Sequence, residues 1–371
     1  MHVTCDKNAL SDALSVCVHA VASKSPIPAL EGVLFSVNKE KITLSGYNTQ
    51  MSIQKTIDCQ AEEEGQCVLS ARIFFDIVRK LHGDQIEIHV DKDLNATIRC
   101  GKSVFNLKAE DAQEYPDLPM VNRSRGIKLP AKLLREMIGD TIFAISTNEN
   151  KPVHTGSLFE IEENTFRLIS VDGYRLAVRK EEVESFGETT FKFVVPGATL
   201  KELARILPDS EDLVSIYPES KHGLFEFNET VMTTRLLEGE FLNYRTAVPA
   251  DMPIRLTVNK SELTDAVERV SLIISERLKN PVRCLFEEDT LKLSCTTTLG
   301  KSYDVVTIPF MSDRIEIGFN NRYLLDALKA CPDEEVVLEL KSGLSPALLK
   351  PMEGDKFLFL ILPVRLKAED L

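Results

Sequence analysis

Catalysis and metal binding need titratable or thiol side chains at a few workable spacings. This chain has many such side chains and none of the spacings. Its histidines are His2, His19, His82, His89, His154 and His222, and its cysteines are Cys5, Cys17, Cys59, Cys67, Cys100, Cys284, Cys295 and Cys331. No GxSxG nucleophile turn, HExxH helix, glycine-rich phosphate loop or acidic metal-binding loop occurs, and no CxxC pair or His/Cys cluster has metal-ligand spacing. His19 and His82 fall in helical patterns and His89 in a strand, where an imidazole is ordinarily a satisfied structural group. The cysteines read as reduced core residues. Neither an enzyme nor a cofactor or metal is expected.

One polar stretch stands out, "SVDGYRLAVRK", Ser170 to Lys180. Asp172-Gly173 between two apolar alternating runs is a strong hairpin signal, and it plants Tyr174 and Arg175 just past the turn. A lone aspartate has no base or nucleophile partner here. Turn chemistry alone accounts for the aspartate and glycine, so any further use of Tyr174 and Arg175 has to come from the elements around them.

Those elements belong to a chain of 371 residues, 43% hydrophobic and 27% charged, long enough for two or three domains with separate cores. No run of 18 apolar residues and no basic N-terminal segment leading into an apolar one occurs, so a cytoplasmic protein is expected. The net charge of −13 and pI near 5.1 favour solubility and, taken alone, argue against a nucleic-acid partner.

The chain repeats itself. "HVTCDKNALSDALSVCVHAV", "IKLPAKLLREMIGDTIFAI" and "LTVNKSELTDAVERVSLII" each read as a short strand followed by an amphipathic helix. A proline-bearing loop and further strands follow each one. A second strand-helix segment closes each third: "CVLSARIFFDIVRKL", "FVVPGATLKELARIL" and "IEIGFNNRYLLDALKA". The reading is an α+β chain of six strand-helix-strand-strand units at an interval of roughly 125 residues per pair. The domains expected are 1–122, 123–249 and 250–371, with boundaries near Asn122 and Ala250.

Domains of one topology joined by short linkers tend to pack in an arc, which closes only for the right copy number. Six helices of about 10 Å diameter around a circle leave a hole of roughly 9 Å, and twelve leave about 28 Å. Only two chains, head to tail, make room for a duplex.

The predicted helices carry twelve basic residues (Lys7, Arg72, Arg79, Lys80, Lys132, Arg135, Lys201, Arg205, Lys260, Arg269, Arg322 and Lys329) against nine acids. They sum to +3 within a chain of −13, which leaves −16 elsewhere. A weakly positive lining inside an acidic shell would hold phosphates without sequence preference. Ordinary solvated lysines and arginines are the plain alternative. No zinc finger, helix-turn-helix or aromatic stacking run is present.

On the threefold repeat, "SVDGYRLAV", "EFLNYRTAVP" and the late "LILPVRL", the whole chain resembles the bacterial DNA polymerase III beta subunit family, the sliding clamps. The resemblance implies three domains of clamp topology, with helices lining the inside of a ring and sheets outside. It also implies a homodimer around double-stranded DNA that tethers the replicative polymerase and docks the clamp loader and other replication and repair proteins.

A cleft for a short linear peptide, carrying a glutamine and large apolar residues, is implied at His154, at Val171, Gly173, Tyr174, Arg175 and Leu176, at Leu242, Ala247 and Val248, and at Leu360, Leu362, Pro363, Val364 and Arg365. Leu176, Ala247, Leu360, Leu362 and Val364 would floor it, Pro363 would stiffen the tail, and Arg175 and Arg365 would stand at the rim. For Arg175 the plain alternative is a cross-strand residue paired with an acid.

DNA contacts are expected at Lys24, Arg277 and Lys279 from the family's loops, and at Arg72, Arg79, Lys80, Lys132, Lys201 and Arg205 on the helices. Phe105 and Leu107 match the dimer strand and would face Leu272 and Ile273 of a second copy; all four are alternatively core residues. His154, Tyr174, Leu242 and Val364 stand where relatives often have an aliphatic residue, histidine, proline and methionine. Two competing readings are a hydrolase or transferase on a repeat scaffold and a non-ring repeat module that binds protein partners only.

Overall fold

The computed structural model describes residues 1–188, 190–275 and 280–366. Among the described residues seven α-helices run Lys7–Cys17 (α1), Ala71–Lys80 (α2), Ala131–Thr141 (α3), Gly197–Ile206 (α4), Tyr244–Ala247 (α5), Lys260–Ser271 (α6) and Asn321–Ala330 (α7). Several begin where a strand ends on a capping side chain. Asp6 accepts from the Ala9 amide at 2.7 Å, Asn259 from Glu262 at 2.9 Å, and Asn320 from Arg322 at 3.0 Å. The buried faces repeat as well: Leu10, Ala13, Leu14 and Cys17 on α1, and Leu263, Ala266, Val267 and Val270 on α6, both spaced i, i+3, i+4, i+7.

The chain forms two compact units. The first comprises the described residues of Met1–Leu134, Glu184–Thr189 and Lys201–Leu236, and the second those of Arg135–Val183, Thr190–Leu200 and Leu237–Leu371. In the first unit a five-stranded antiparallel sheet ends on the strand Ser103–Lys108. A nine-stranded sheet is joined where Met51–Asp58 pairs with Thr230–Arg235, with Met232 opposite Ile53. Gly46 is required there, because a Cβ would lie 2.2 Å from the Cys17 carbonyl oxygen at the end of α1.

In the second unit an eight-stranded sheet is joined where Arg175–Glu182 pairs with Phe357–Ile361. Beside it lies a long hairpin, Val282–Thr297 and Gly300–Phe319. Its register shifts between Phe286 and Glu288 and between Glu288 and Thr290, so two successive strand pairs run together there.

The six units are present with one strand more than the spacing predicts: each reads strand, helix, three strands. The third strands are Met51–Asp58, Ser103–Lys108, Arg175–Glu182, Thr230–Arg235, the 300–307 part of the long hairpin, and Phe357–Ile361. Apart from Arg175–Glu182, which the hairpin at Asp172-Gly173 signals, sequence spacing missed them because a turn-linked third strand looks like the tail of the second. The first unit's third strand pairs with the fourth's, and the third's with the sixth's. The third strands of the second and fifth units each have a single neighbour among the described residues.

Candidate functional site

Local chemistry closes the hairpin singled out in the sequence. Asp172 Oδ1 accepts the Tyr174 amide at 2.8 Å and the Arg175 amide at 3.1 Å, and Gly173 takes φ 93°, a region glycine enters without a Cβ penalty. Val171 and Leu176 then face each other across the two strands. Strand Arg175–Glu182 continues into Phe357–Ile361, with Leu176 opposite Leu360 and Leu360 opposite Leu348 on the next strand. Past the strand the chain stays attached: the Leu362 amide donates to the Tyr174 carbonyl at 2.8 Å and the Val364 amide to the Gly318 carbonyl at 2.7 Å.

These contacts gather an apolar cluster. Val153, Leu158, Val171, Leu176, Tyr244, Leu348 and Leu360 are buried in it, and Phe241, Val248 and Leu362 pack on it half-buried. The hairpin, residues 241–248 and the tail therefore contribute to one apolar cluster. Leu176 and Leu360 are buried, Leu362 and Val364 are half-buried, and Ala247, Leu242 and Arg365 are exposed.

The ring of Tyr174, 60% exposed, stacks on Tyr323 of α7 at 5.9 Å. Arg175 is engaged on every side. Its guanidinium lies 4.4 Å from the Tyr323 ring centre and 5.4 Å from Phe143, with Nε 2.9 Å from Asp172 Oδ2 and Nη1 2.5 Å from Asp326 Oδ2. At 11% side-chain exposure it fixes the hairpin to α7 and is not a free rim cation, which corrects the rim role and matches the paired-arginine alternative in kind.

His154 sets its ring edge-on to Phe241 at 5.3 Å. Burial, with a smaller contribution from Lys151, pulls its pKa below the usual imidazole value, so the ring is neutral at pH 7.

Of the basic residues assigned to DNA, Lys24, Arg72, Lys80, Lys132 and Lys201 are exposed and make no ion pair among the described residues. Arg79 pairs with Asp76 at 3.0 Å, and Arg205 with Glu202 at 3.0 Å beside His19. Arg79 and Lys80 also line a cavity of about 470 Å³ between α2 and the edge strand, with Ile73, Ile77, Leu81, Ser103 and Phe105. Arg277 and Lys279 lie outside the described residues.

On the edge strand Phe105 is 39% exposed and Leu107 half-buried; after α6, Leu272 is 84% exposed and Ile273 half-buried. Phe105 and Leu272 are thus not core residues of this chain.

Nucleophiles are muted. Burial pushes Cys5, Cys17, Cys67, Cys284 and Cys331 up to about 12, so they are neutral thiols. Among the described residues no group of three His, Cys, Asp or Glu is arranged to hold a metal.

Tyr323, Asp326, Phe241 and Gly318 carry much of this geometry and were not singled out in the sequence. Tyr323 and Asp326 sit three apart on the flank of α7, outside its buried face of Leu324, Ala327 and Leu328, and that was the available signal.

The DNA polymerase III beta subunit family matches along the chain: its N-terminal domain over residues 1–119, its central domain over 128–243 and its C-terminal domain over 245–365. The chain is 33% identical to the beta sliding clamp of Halalkalibacterium halodurans, over 98% of this chain and 100% of the relative. It is 32% identical to that of Staphylococcus aureus, over 98% and 99%. The crystal structure of the DNA polymerase sliding clamp from Bacillus subtilis superposes with a TM-score of 0.95 at 30% identity, covering 99% of this chain and 100% of that one.

Proposed function

Because the chain belongs to the DNA polymerase III beta subunit family, the sliding clamps of DNA replication, we propose that two copies close head to tail into a ring around double-stranded DNA. The chain has the family's three clamp domains, with helices and antiparallel sheets alternating through each third. In the proposed ring the helices face the pore and the sheets lie outside, and the domains are bounded near Asn122 and Ala250.

One observation carries the dimer. Third strands pair between units three apart, first with fourth and third with sixth. The same rule sends the fifth unit's 300–307 strand to an eighth unit, which is the second unit of another copy, at Ser103–Lys108. Both edges carry exposed apolar side chains, Val104 and Phe105 on one and Tyr303 and Val305 on the other. Leu272 and Ile273 then meet the cavity beside Phe105. A heterologous contact of this kind forms a closed ring only where the rotation permits, and twelve helices give a pore of about 28 Å.

Lys24, Arg72, Lys80, Lys132 and Lys201, which make no ion pair among the described residues, would touch phosphates together with Arg79, Arg205, Arg277 and Lys279. The ring slides because phosphate contact carries no base readout. The cleft at His154, the hairpin, α5 and the tail receives a peptide bearing a glutamine and large apolar residues, from the polymerase, the clamp loader or other replication and repair proteins. The protein acts as a tether in the cytoplasm and catalyses nothing.

Sedimentation equilibrium tests the ring. A species of twice 41.6 kDa supports it, and a monomer at all concentrations removes it. Ending the chain after Ile361 tests the cleft: peptide binding is lost while the dimer persists, and unchanged peptide affinity refutes the assignment.

A further inference from the structure

The wall of the cleft from Leu242 to Val248 belongs to no sheet, and its only regular element, α5, is four residues long. So short a helix does not hold itself in water. What holds it is a carboxylate on the neighbouring strand Gly156–Glu162. On the face of that strand that contributes Leu158 to the apolar cluster, the next residue is Glu160, which is 5% exposed. Glu160 Oε2 accepts from the Tyr244 hydroxyl at 2.7 Å and from Arg245 Nη2 at 2.8 Å, and Oε1 accepts from Arg245 Nη1 at 3.0 Å. Arg167, directly across the strand pair, lies 3.9 Å away.

Burial pushes the Glu160 carboxyl upward in pKa, but the hydrogen bonds from Arg245 and Tyr244 outweigh it, so the group is held below the usual carboxylate range. Glu162 accepts from Arg245 Nη2 at 3.1 Å, though from a far more exposed position. Of the two residues that Glu160 grips, Tyr244 is buried in the cluster and Arg245, about half-exposed, lies on the carboxylates.

We propose that Glu160 is a positioning residue for peptide recognition, which holds α5 and so presets the cleft wall at Leu242, Ala247 and Val248. This rests on the cleft reading above. A wall ordered before binding does not have to be ordered by the peptide, and the gain appears as affinity. The carboxylate touches no ligand; it acts through Tyr244 and Arg245.

The test uses the full-length protein and a fluorescein-labelled synthetic peptide carrying one glutamine and two large apolar residues. Glu160→Gln keeps the shape and removes the charge, and the expected result is an approximately tenfold weaker peptide Kd, from the loss of buried charge-assisted bonds. Amide exchange is expected to accelerate at 242–248 and not in strand Phe357–Ile361. Tyr244→Phe, which keeps the ring, weakens binding less, and the double variant is less than additive because the two share one bond. If Glu160→Gln fails to fold, Tyr244→Phe carries the same comparison.

Parent affinity together with parent exchange at 242–248 in these variants overturns the proposal. So does weaker binding without a change in exchange there. If the parent itself fails to bind the peptide, the cleft reading falls separately, and equal protection of 242–248 in parent and Glu160→Gln overturns the anchoring.

Discussion

Gly318 faces the tail at a distance that leaves no room for a methyl group. A Cβ placed on it would lie 2.6 Å from the Val364 carbonyl oxygen and 2.7 Å from Leu366 Cδ2. Gly318→Ala therefore demands a retreat of roughly 0.7 Å to restore ordinary contact. Two things can yield, the strand or the tail. The strand is the long, paired Gly300–Phe319, and Gly318 has a fixed register opposite Arg283. The tail is held by two backbone hydrogen bonds, from Leu362 to Tyr174 and from Val364 to Gly318 itself. The tail gives way.

A retreat of that size stretches the 2.7 Å bond from Val364 past about 3.3 Å, outside the normal range. One net hydrogen bond is worth about 1 kcal/mol, and the freed tail has to be reordered by the ligand, so peptide affinity should fall about five- to tenfold. Because the tail absorbs the clash, the melting temperature should move by no more than a few degrees. Isothermal titration with the glutamine-bearing peptide and a thermal melt on the same preparation decide it. Parent affinity in Gly318→Ala refutes the reasoning. A fall of about 3 kcal/mol in stability with affinity intact would show that the strand had moved in place of the tail.

Three further outcomes are expected. Phe105→Asp, on an edge where the aromatic ring is partly exposed, should convert the dimer to a 41.6 kDa species in sedimentation at micromolar concentration without lowering the melting temperature of the monomer fold. Lys24→Glu with Arg72→Glu, which removes two phosphate contacts from each of the two copies in the proposed ring, should flatten the slope of log DNA affinity against log salt by up to about 3.6 and leave peptide binding unchanged. Asp140, 2.8 Å from the buried Arg179, is raised to about 6, chiefly by burial and against the pull of Arg179. Between about pH 4 and 6 the folded state then binds more protons than the unfolded one, so this group lowers stability as pH rises through that window. The difference in melting temperature between Asp140→Asn and the parent should accordingly shift toward the variant from pH 4 to pH 7, and a shift the other way would contradict it.

The helices were legible in the sequence because their signals are local: a capping side chain after a strand, then apolar residues at i, i+3, i+4 and i+7, as in α1 and α6. The hairpin at Asp172-Gly173 was legible for the same reason. The third strands other than Arg175–Glu182 were not, since nothing local separates them from the strand before, and the partners that carry Met51–Asp58 and Arg175–Glu182 into larger sheets lie about 180 residues away. The part played by Arg175 was misread for a related reason. Asp172 is three residues off, but Tyr323 and Asp326, which complete its cage, come from α7, and nothing in a local window says that a cation there is already engaged. Glu160 was invisible as well: in sequence it is one acid in an alternating strand, and only Tyr244 and Arg245, more than 80 positions later, give it a purpose.

The sheet edges separate two kinds of surface. A strand edge with free backbone groups pairs with whatever reaches it unless its side chains discourage approach. The short edge strand Gln60–Glu63 carries two glutamates, and Glu184–Phe186 is three residues long and begins with another. Those edges are closed to company by charge and shortness. Ser103–Lys108 is different: it is six residues long, it is paired on one side only, and it shows Val104 and Phe105 to solvent next to the cavity under α2. The 300–307 strand has Tyr303 and Val305 in the same condition. In the ring proposed above, these two apolar edges, at different positions of the repeat, are the ones that would join the second unit of one copy to the fifth unit of another.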